Sequence, residues 1–149
     1  MTHAIGFTGT QLGMTDAQKA RLRTILQASQ GVEFHHGDCI GADVEAHDIA
    51  LELGLIPVIH PPQNPSKRAF KPATTILPTK DYLDRNHDIV DGTLLLIACP
   101  KEPEEQLRSG TWATIRYAKK TNKNIYIIIP DGTRFSSLAH STVLRGGKD

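Results

Sequence analysis

Five short apolar runs, set apart by stretches of helical spacing or by turn residues, limit most strongly what this chain can fold into. They fall at residues 4–8, 32–35, 55–59, 94–98 and 125–129. Each is too short for a stable helix and long enough for a strand. After the first run, Thr15, Asp16, Ala17 and Gln18 form a capping-box pattern, with Leu22, Ile25 and Leu26 as one apolar stripe and Gly31 as the stop. Ala42, Ala46, Ile49, Ala50 and Leu53 recur at helical spacing until Gly54, and a helix carrying Trp112 and Ile115 precedes the last run. Strands alternating with helices imply a parallel sheet covered on both faces, because each parallel crossover lays its helix against the sheet.

Pro57 lies inside the third run, and a residue without an N–H cannot complete an inner ladder, so that strand is expected at an edge. The expected fold class is therefore α/β: a single Rossmann-like three-layer domain with a mainly parallel five-stranded sheet in the order 3-2-1-4-5. In that order the winding reverses between strands 1 and 4. Ligands of open α/β sheets bind beyond the carboxyl ends of the strands at such a reversal, here the loops Thr8-Gly9-Thr10 and Cys99-Pro100.

A chain of 149 residues can bury its own core as one domain. With 17 basic and 16 acidic residues it projects no field that would hold a nucleic-acid backbone, and aromatics at 5% offer few stacking platforms. Neither a secretory leader nor an apolar run of membrane length is visible, so the expected setting is cytoplasmic, without membrane or nucleic-acid partners. The partner is expected to be a small molecule recognised locally.

Ser109-Gly110-Thr111 opens the Trp112 helix with a polar turn. Unpaired backbone N–H groups, a hydroxyl and the positive end of the helix dipole together suit a phosphate or carboxylate, although a plain cap has the same composition. The segment from His35 to His47 follows strand 2 and enters a helix. There Gly37 and Gly41 would permit close approaches, Cys39 lies at the same end of the sheet, and Asp38 or Asp43 could accept from ribose hydroxyls or serve only as turn and cap residues. His35, His36, Asp38 and Cys39 lack the spacing of a zinc motif, so no metal is expected. Cys39 and Cys99 would end strands separated by strand 1, beyond disulfide reach.

Arg85 offers a planar fork to phosphate and Asn86 can both donate and accept; the alternative is a solvated helix face with Arg85 paired to Asp81 or Asp88. His60, Lys67, Arg68 and Lys71 could close over an anion or form a solubilising cluster. Residues 61–80, with five prolines, make one long irregular stretch that reads as a lid or binding loop. A polar tail is expected over residues 135–149.

Taken with Thr8-Gly9-Thr10, the segment from His36 to Asp43, Arg85-Asn86 and Ser109-Gly110-Thr111, the chain resembles the SLOG superfamily of Rossmann-like domains. That group includes the Lonely guy phosphoribohydrolases, the DNA-processing protein A family, and sensors of nucleotide-derived signals in bacterial anti-phage defence. The resemblance covers residues 4 to about 133, giving a ligand-binding domain over residues 1–134. It implies a nucleotide-derived small molecule, such as a cyclic nucleotide or an ADP-ribose-type signal, that is sensed or sequestered, and it implies a homo-oligomer. No resident cofactor is expected. Lonely guy enzymes carry a catalytic Glu four positions after the glycine that aligns with Gly110, where this chain has Thr114. The resemblance thus implies a phosphate turn without the acid for N-glycosidic cleavage, the alternative activity. Its implied ligand residues are Thr8, Gly9, Thr10, Gly37, Asp38, Cys39, Gly41, Asp43, His60, Arg85, Asn86, Ser109, Gly110 and Thr111.

Overall fold

Each apolar run becomes a strand, displaced by at most a residue or so from its expected bounds. The computed structural model describes residues 3–138. Strand β1 (Ala4–Gly9) leads into α1 (Asp16–Ala28), β2 (Glu33–His36), α2 (Ala42–Glu52) and β3 (Ile56–Ile59). After a 3-10 turn (Pro65–Lys67) come β4 (Thr75–Ile76), α3 (Tyr82–Asp91), β5 (Leu95–Cys99), α4 (Gly110–Lys120), β6 (Asn124–Ile128) and β7 (Arg134–Ser137).

The sheet order is β4-β3-β2-β1-β5-β6-β7. Its five inner strands reproduce the expected order, and the winding reverses between β1 and β5. Two expectations need correction. The sheet has seven strands rather than five, because β4 adds in parallel to β3 and β7 adds antiparallel to β6. Consequently β3 is not an edge. Pairing with β4 starts at Val58, one residue beyond Pro57, so the missing N–H does not interrupt that ladder. A two-residue strand in a proline-rich stretch, and a polar one inside the supposed tail, carry too little pattern to be seen in sequence. The remainder of the tail, residues 139–149, lies outside the described residues.

Period-2 alternation inside the apolar runs divides the core into two layers. Ile97 and Cys99 of β5 and Ile128 of β6 join Phe7, Phe34, Leu22, Leu26 and Ala46 under α1 and α2. Leu96 and Ala98 of β5 and Ile125 and Ile127 of β6 join Ile89, Val90, Trp112 and Ile115 under α3 and α4. The stripe Leu22, Ile25 and Leu26 is buried as expected.

The capping box also forms. Thr15 Oγ1 accepts the Gln18 N–H at 3.1 Å while Gln18 Oε1 accepts the Thr15 N–H at 3.0 Å. Gln18 does more than cap. Its Nε2 donates to the carbonyls of Pro100 and Ile128, each at 2.9 Å, tying the start of α1 to the carboxyl ends of β5 and β6. No helix among the described residues is long and apolar enough to cross a membrane.

Candidate functional site

Helix α4 begins at the reversal. Ser109 caps it, its Oγ accepting the Trp112 N–H at 3.1 Å and its carbonyl the Ala113 N–H at 2.9 Å. The N–H groups of Gly110 and Thr111 are then the donors left for an approaching anion. This turn forms one wall of a cleft of about 350 Å³, whose other lining is Gly9, Thr10, Gln11, Leu12, Tyr82, Lys101 and Glu102. The β1 loop is held in place from both sides. Thr10 donates its N–H to the Cys99 carbonyl at 3.1 Å and accepts the Ala42 N–H at 2.9 Å, while its hydroxyl accepts the Leu12 N–H. Five of the sequence-derived residues thus meet here: Gly9, Thr10, Ser109, Gly110 and Thr111.

A second group meets just beneath. Thr8, Gly9, Gly37, Cys39, Asp43, Arg85 and Asn86 line a small cavity together with Phe7, Gln11, Tyr82 and Ile89. The turn that brings β2 into α2 depends on its glycines. Gly41 has φ +96°, and a Cβ there would collide with the Gln11 backbone; a Cβ at Gly37 would occupy the place of the Arg85 guanidinium. Asp43 is not the cap of α2, a place taken by Gly41, but pins this turn by accepting the Cys39 N–H at 3.1 Å.

Arg85 and Asn86 are buried rather than solvated, and Asp88 pairs with Lys80 instead of Arg85. Arg85 donates to the Gly37 carbonyl at 2.6 Å and the His60 carbonyl at 3.2 Å, with the Cys39 sulfur at 3.5 Å, and its buried Nε has no partner. Burial pushes the Asp43 carboxyl up to about 6 despite the opposing pull of Arg85.

Asp38 and His60 are not brought to the cleft. The Asp38 carboxylate is fully buried, and accepts from Arg68 Nε at 3.2 Å, the Phe70 N–H at 3.2 Å and the Lys71 N–H at 3.0 Å. It therefore anchors the irregular loop, which is further fixed by the Ala69 N–H on the Asp38 carbonyl and the Ile40 N–H on the Lys67 carbonyl. Residues 61–71 act as a tethered wall. Arg68 and Lys71 are ion-paired within it, to Asp38 and Asp48.

Four of the histidines form two buried pairs. His60 Nε2 lies 2.8 Å from His35 Nδ1, and His35 Nε2 lies 2.9 Å from Glu33. His36 accepts the Asp38 N–H at Nδ1, so it must donate from Nε2 to His47 Nδ1, 2.8 Å away. Burial, first, and the neighbouring histidine, next, lower the pKa of His60 to about 4; burial and His47 likewise hold His36 well below the usual histidine range. Among the described residues no cluster has the make-up of a metal site, and both cysteines are free and buried.

A scan of family models finds no match to this chain, and a search of curated proteins finds none either. Solved structures do match. A molybdenum cofactor binding protein from Rippkaea orientalis superposes with a TM-score of 0.67 at 18% identity, over 87% of this chain and 77% of the other. The molybdenum cofactor carrier protein of Chlamydomonas reinhardtii gives a TM-score of 0.62 at 18% identity, over 85% and 76%. A structural-genomics target, TM1055, gives 0.61 at 14% identity, over 83% and 72%. At such identities the likeness is one of fold.

Five cleft residues escaped the sequence reading: Gln11, Leu12, Tyr82, Lys101 and Glu102. Lys101 and Glu102 directly follow Cys99-Pro100, a loop the topology had already singled out, so their position was the available signal. Glu102 leans on α4, its Oε1 accepting from Trp112 Nε1 at 3.2 Å. The Tyr82 hydroxyl lies against Gly110, where a Cβ would strike it. Thr114, one turn into α4, is buried and donates its hydroxyl back to the Gly110 carbonyl at 2.9 Å, so the side chain makes no approach to the cleft floor.

Proposed function

We propose that the cleft binds a phosphate-bearing, nucleotide-derived small molecule and holds it without breaking a bond. The observation that carries this reading is the convergence of the α4 start with the β1 loop at the sheet reversal. Gly110 and Thr111 at the start of α4, Thr10 of the β1 loop and the basic Lys101 line one space of ligand size. Phosphate would sit on the α4 turn. Glu102, a carboxylate on the same wall, replaces Asp38 and Asp43 as acceptor for ribose hydroxyls, since Asp38 is bonded to the loop and Asp43 to its own turn.

That the ligand stays intact rests on how the carboxyls near the site are engaged. Thr114 cannot transfer a proton at neutral pH, Asp38 is sequestered, Glu105 is paired with Arg116 at 2.8 Å, Asp43 is held by the Cys39 N–H of its own turn, and Glu102, the carboxylate that lines the cleft, is held by Trp112 Nε1. The finer reading, in which the ligand is a cyclic nucleotide or an ADP-ribose-type signal sensed or sequestered in the contest between bacterium and phage, rests on the SLOG resemblance, as does assembly into a homo-oligomer. Two fold neighbours, a molybdenum cofactor binding protein and a molybdenum cofactor carrier protein, favour a second occupant of the same site, a molybdenum-cofactor-type ligand.

Isothermal titration against AMP, cyclic nucleotides, ADP-ribose and a pterin phosphate separates these occupants. At least one compound should bind, and Ser109→Ala/Thr111→Ala should weaken it tenfold or more, about 1.4 kcal/mol. No binding by any of them sinks the proposal. Release of free base from AMP would favour phosphoribohydrolase activity instead.

A further inference from the structure

Three spaces meet at the sheet reversal, and Gln11 and Tyr82 line all of them. The first is the phosphate cleft. The second, about 310 Å³ and the more apolar in lining, lies between Tyr82 and the tethered loop, against Cys39, Pro62, Gln63, Asn64, Lys67 and Asp81. The third is the small cavity over Arg85. Tyr82 is thus shared by all three spaces, with the Arg85 guanidinium over one face of its ring at 5.1 Å from the centroid and its hydroxyl against the first residue of α4.

We infer that the second space is a subsite for a planar heterocycle, so that the ligand class is a phosphate monoester carrying an aromatic ring. This inference rests on the phosphate-site reading above and adds the rest of the ligand to it. The lining matches the chemistry of a ring with polar edges. Pro62 and Cys39 give apolar contact, and the Tyr82 face gives a stacking surface. Gln63 and the Asp81 carboxylate lie at the rim, one able to donate and the other only to accept.

The walls of this subsite are fixed before any ligand arrives, which lowers the cost of ordering on binding. Asn64 caps the 3-10 turn through the Ser66 N–H at 3.0 Å, and Gln63 donates its N–H to the Lys80 carbonyl at 3.1 Å. An independent observation lies at the junction with the third space. Arg85 lines that cavity, is 3% exposed, and keeps an unpartnered Nε–H. Because an orphaned buried donor is costly, its complement is an acceptor from outside the chain, and the cavity of about 20 Å³ beside it has room for one water-sized oxygen. Tyr82 is accordingly the residue that selects ligands with a ring over bare sugar phosphates.

The test compares AMP and GMP with ribose 5-phosphate by isothermal titration, on wild type, Tyr82→Phe and Tyr82→Ala. In wild type the better nucleotide should bind at least about tenfold more tightly than ribose 5-phosphate, the usual scale of one base stacked on an aromatic ring. Tyr82→Phe should retain that ratio and Tyr82→Ala should abolish it, with circular dichroism and a thermal melt reporting that each variant remains folded. Equal affinities of sugar phosphate and nucleotide in wild type, or a ratio unchanged in Tyr82→Ala, would overturn the ring subsite while leaving the phosphate site standing. Failure of all three compounds to bind would overturn both.

Discussion

At the scale of single residues, Gln18 shows how one polar side chain can serve both a helix end and the sheet. Its amide is buried and saturated: the oxygen takes the Thr15 N–H and the nitrogen serves two carbonyls at strand ends. Replacing it with Ala removes three hydrogen bonds and leaves buried acceptors without partners, an expected loss of about 2–3 kcal/mol. Chemical denaturation with urea would measure this. A loss under about 0.5 kcal/mol would show that solvent reaches these carbonyls. Gly41 gives a second residue-scale expectation. With φ +96° and the Gln11 backbone against its α-carbon, Gly41→Ala should destabilise by about 2 kcal/mol or more, whereas Gly54→Ala, with a positive φ but open space, should cost less. Thermal melts of the two variants check the order. The capping role of Gln18 was legible in the sequence because a capping box is a local pattern. Its reach to Pro100 and Ile128 was not, since those carbonyls come from strands 82 and 110 residues away.

At the scale of elements, the beginning of α4 has two roles that mutation can separate. Ser109 caps the helix, and the same turn offers its remaining N–H groups to the cleft. Asp is as good a cap as Ser and its charge favours a helix N-terminus, yet that charge would stand where a phosphate must come. Ser109→Asp should therefore melt within a degree or two of wild type, or above it, and bind phosphate-bearing ligands at least about tenfold more weakly. Equal ligand affinity would place the anion elsewhere. The elements also show where sequence reading ends. Strand runs, helical stripes and the sheet reversal follow from periodicity and crossover rules, which act locally or on connection length. The role of Tyr82 depends on α3 and α4 coming side by side over β1 and β5, and nothing in its own neighbourhood distinguishes it from a packing residue. Asp38 inverts the case. Read as a ligand residue because it follows strand 2 beside glycines, it is claimed by the backbone of a loop some 30 residues on, a contact no local pattern encodes.

At the scale of the whole molecule, buried titratable groups set how stability responds to pH. His36 and His60 have folded pKa values held below 6.5 by burial first, and His47 is lowered by burial as well. Unfolded histidines take up protons as pH falls through 6.5 while these do not, so the stability they contribute is present above that pH and is lost as pH falls towards about 4. Asp43 works in the opposite sense, since its carboxyl is raised to about 6 and the cost of its buried charge is felt as pH rises through that value. Three histidines outweigh one carboxyl. Unfolding free energy should drop by about 2 kcal/mol between pH 7 and pH 5, on the order of one net proton per unit. Urea midpoints at the two pH values test this, and a midpoint that stays level or rises at pH 5 contradicts it.

The central claim, that the α4 turn and the β1 loop together hold a phosphate-bearing ligand intact, is tested most directly by one nuclear magnetic resonance titration. AMP would be added to ¹⁵N-labelled protein while the amide signals and the nucleotide's own proton and phosphorus signals are followed. Saturable shifts should concentrate at Gly9, Thr10, Gly110 and Thr111, with the AMP signals unchanged in number after a day. Shifts confined to other residues, no shifts at millimolar AMP, or the appearance of free adenine would contradict it.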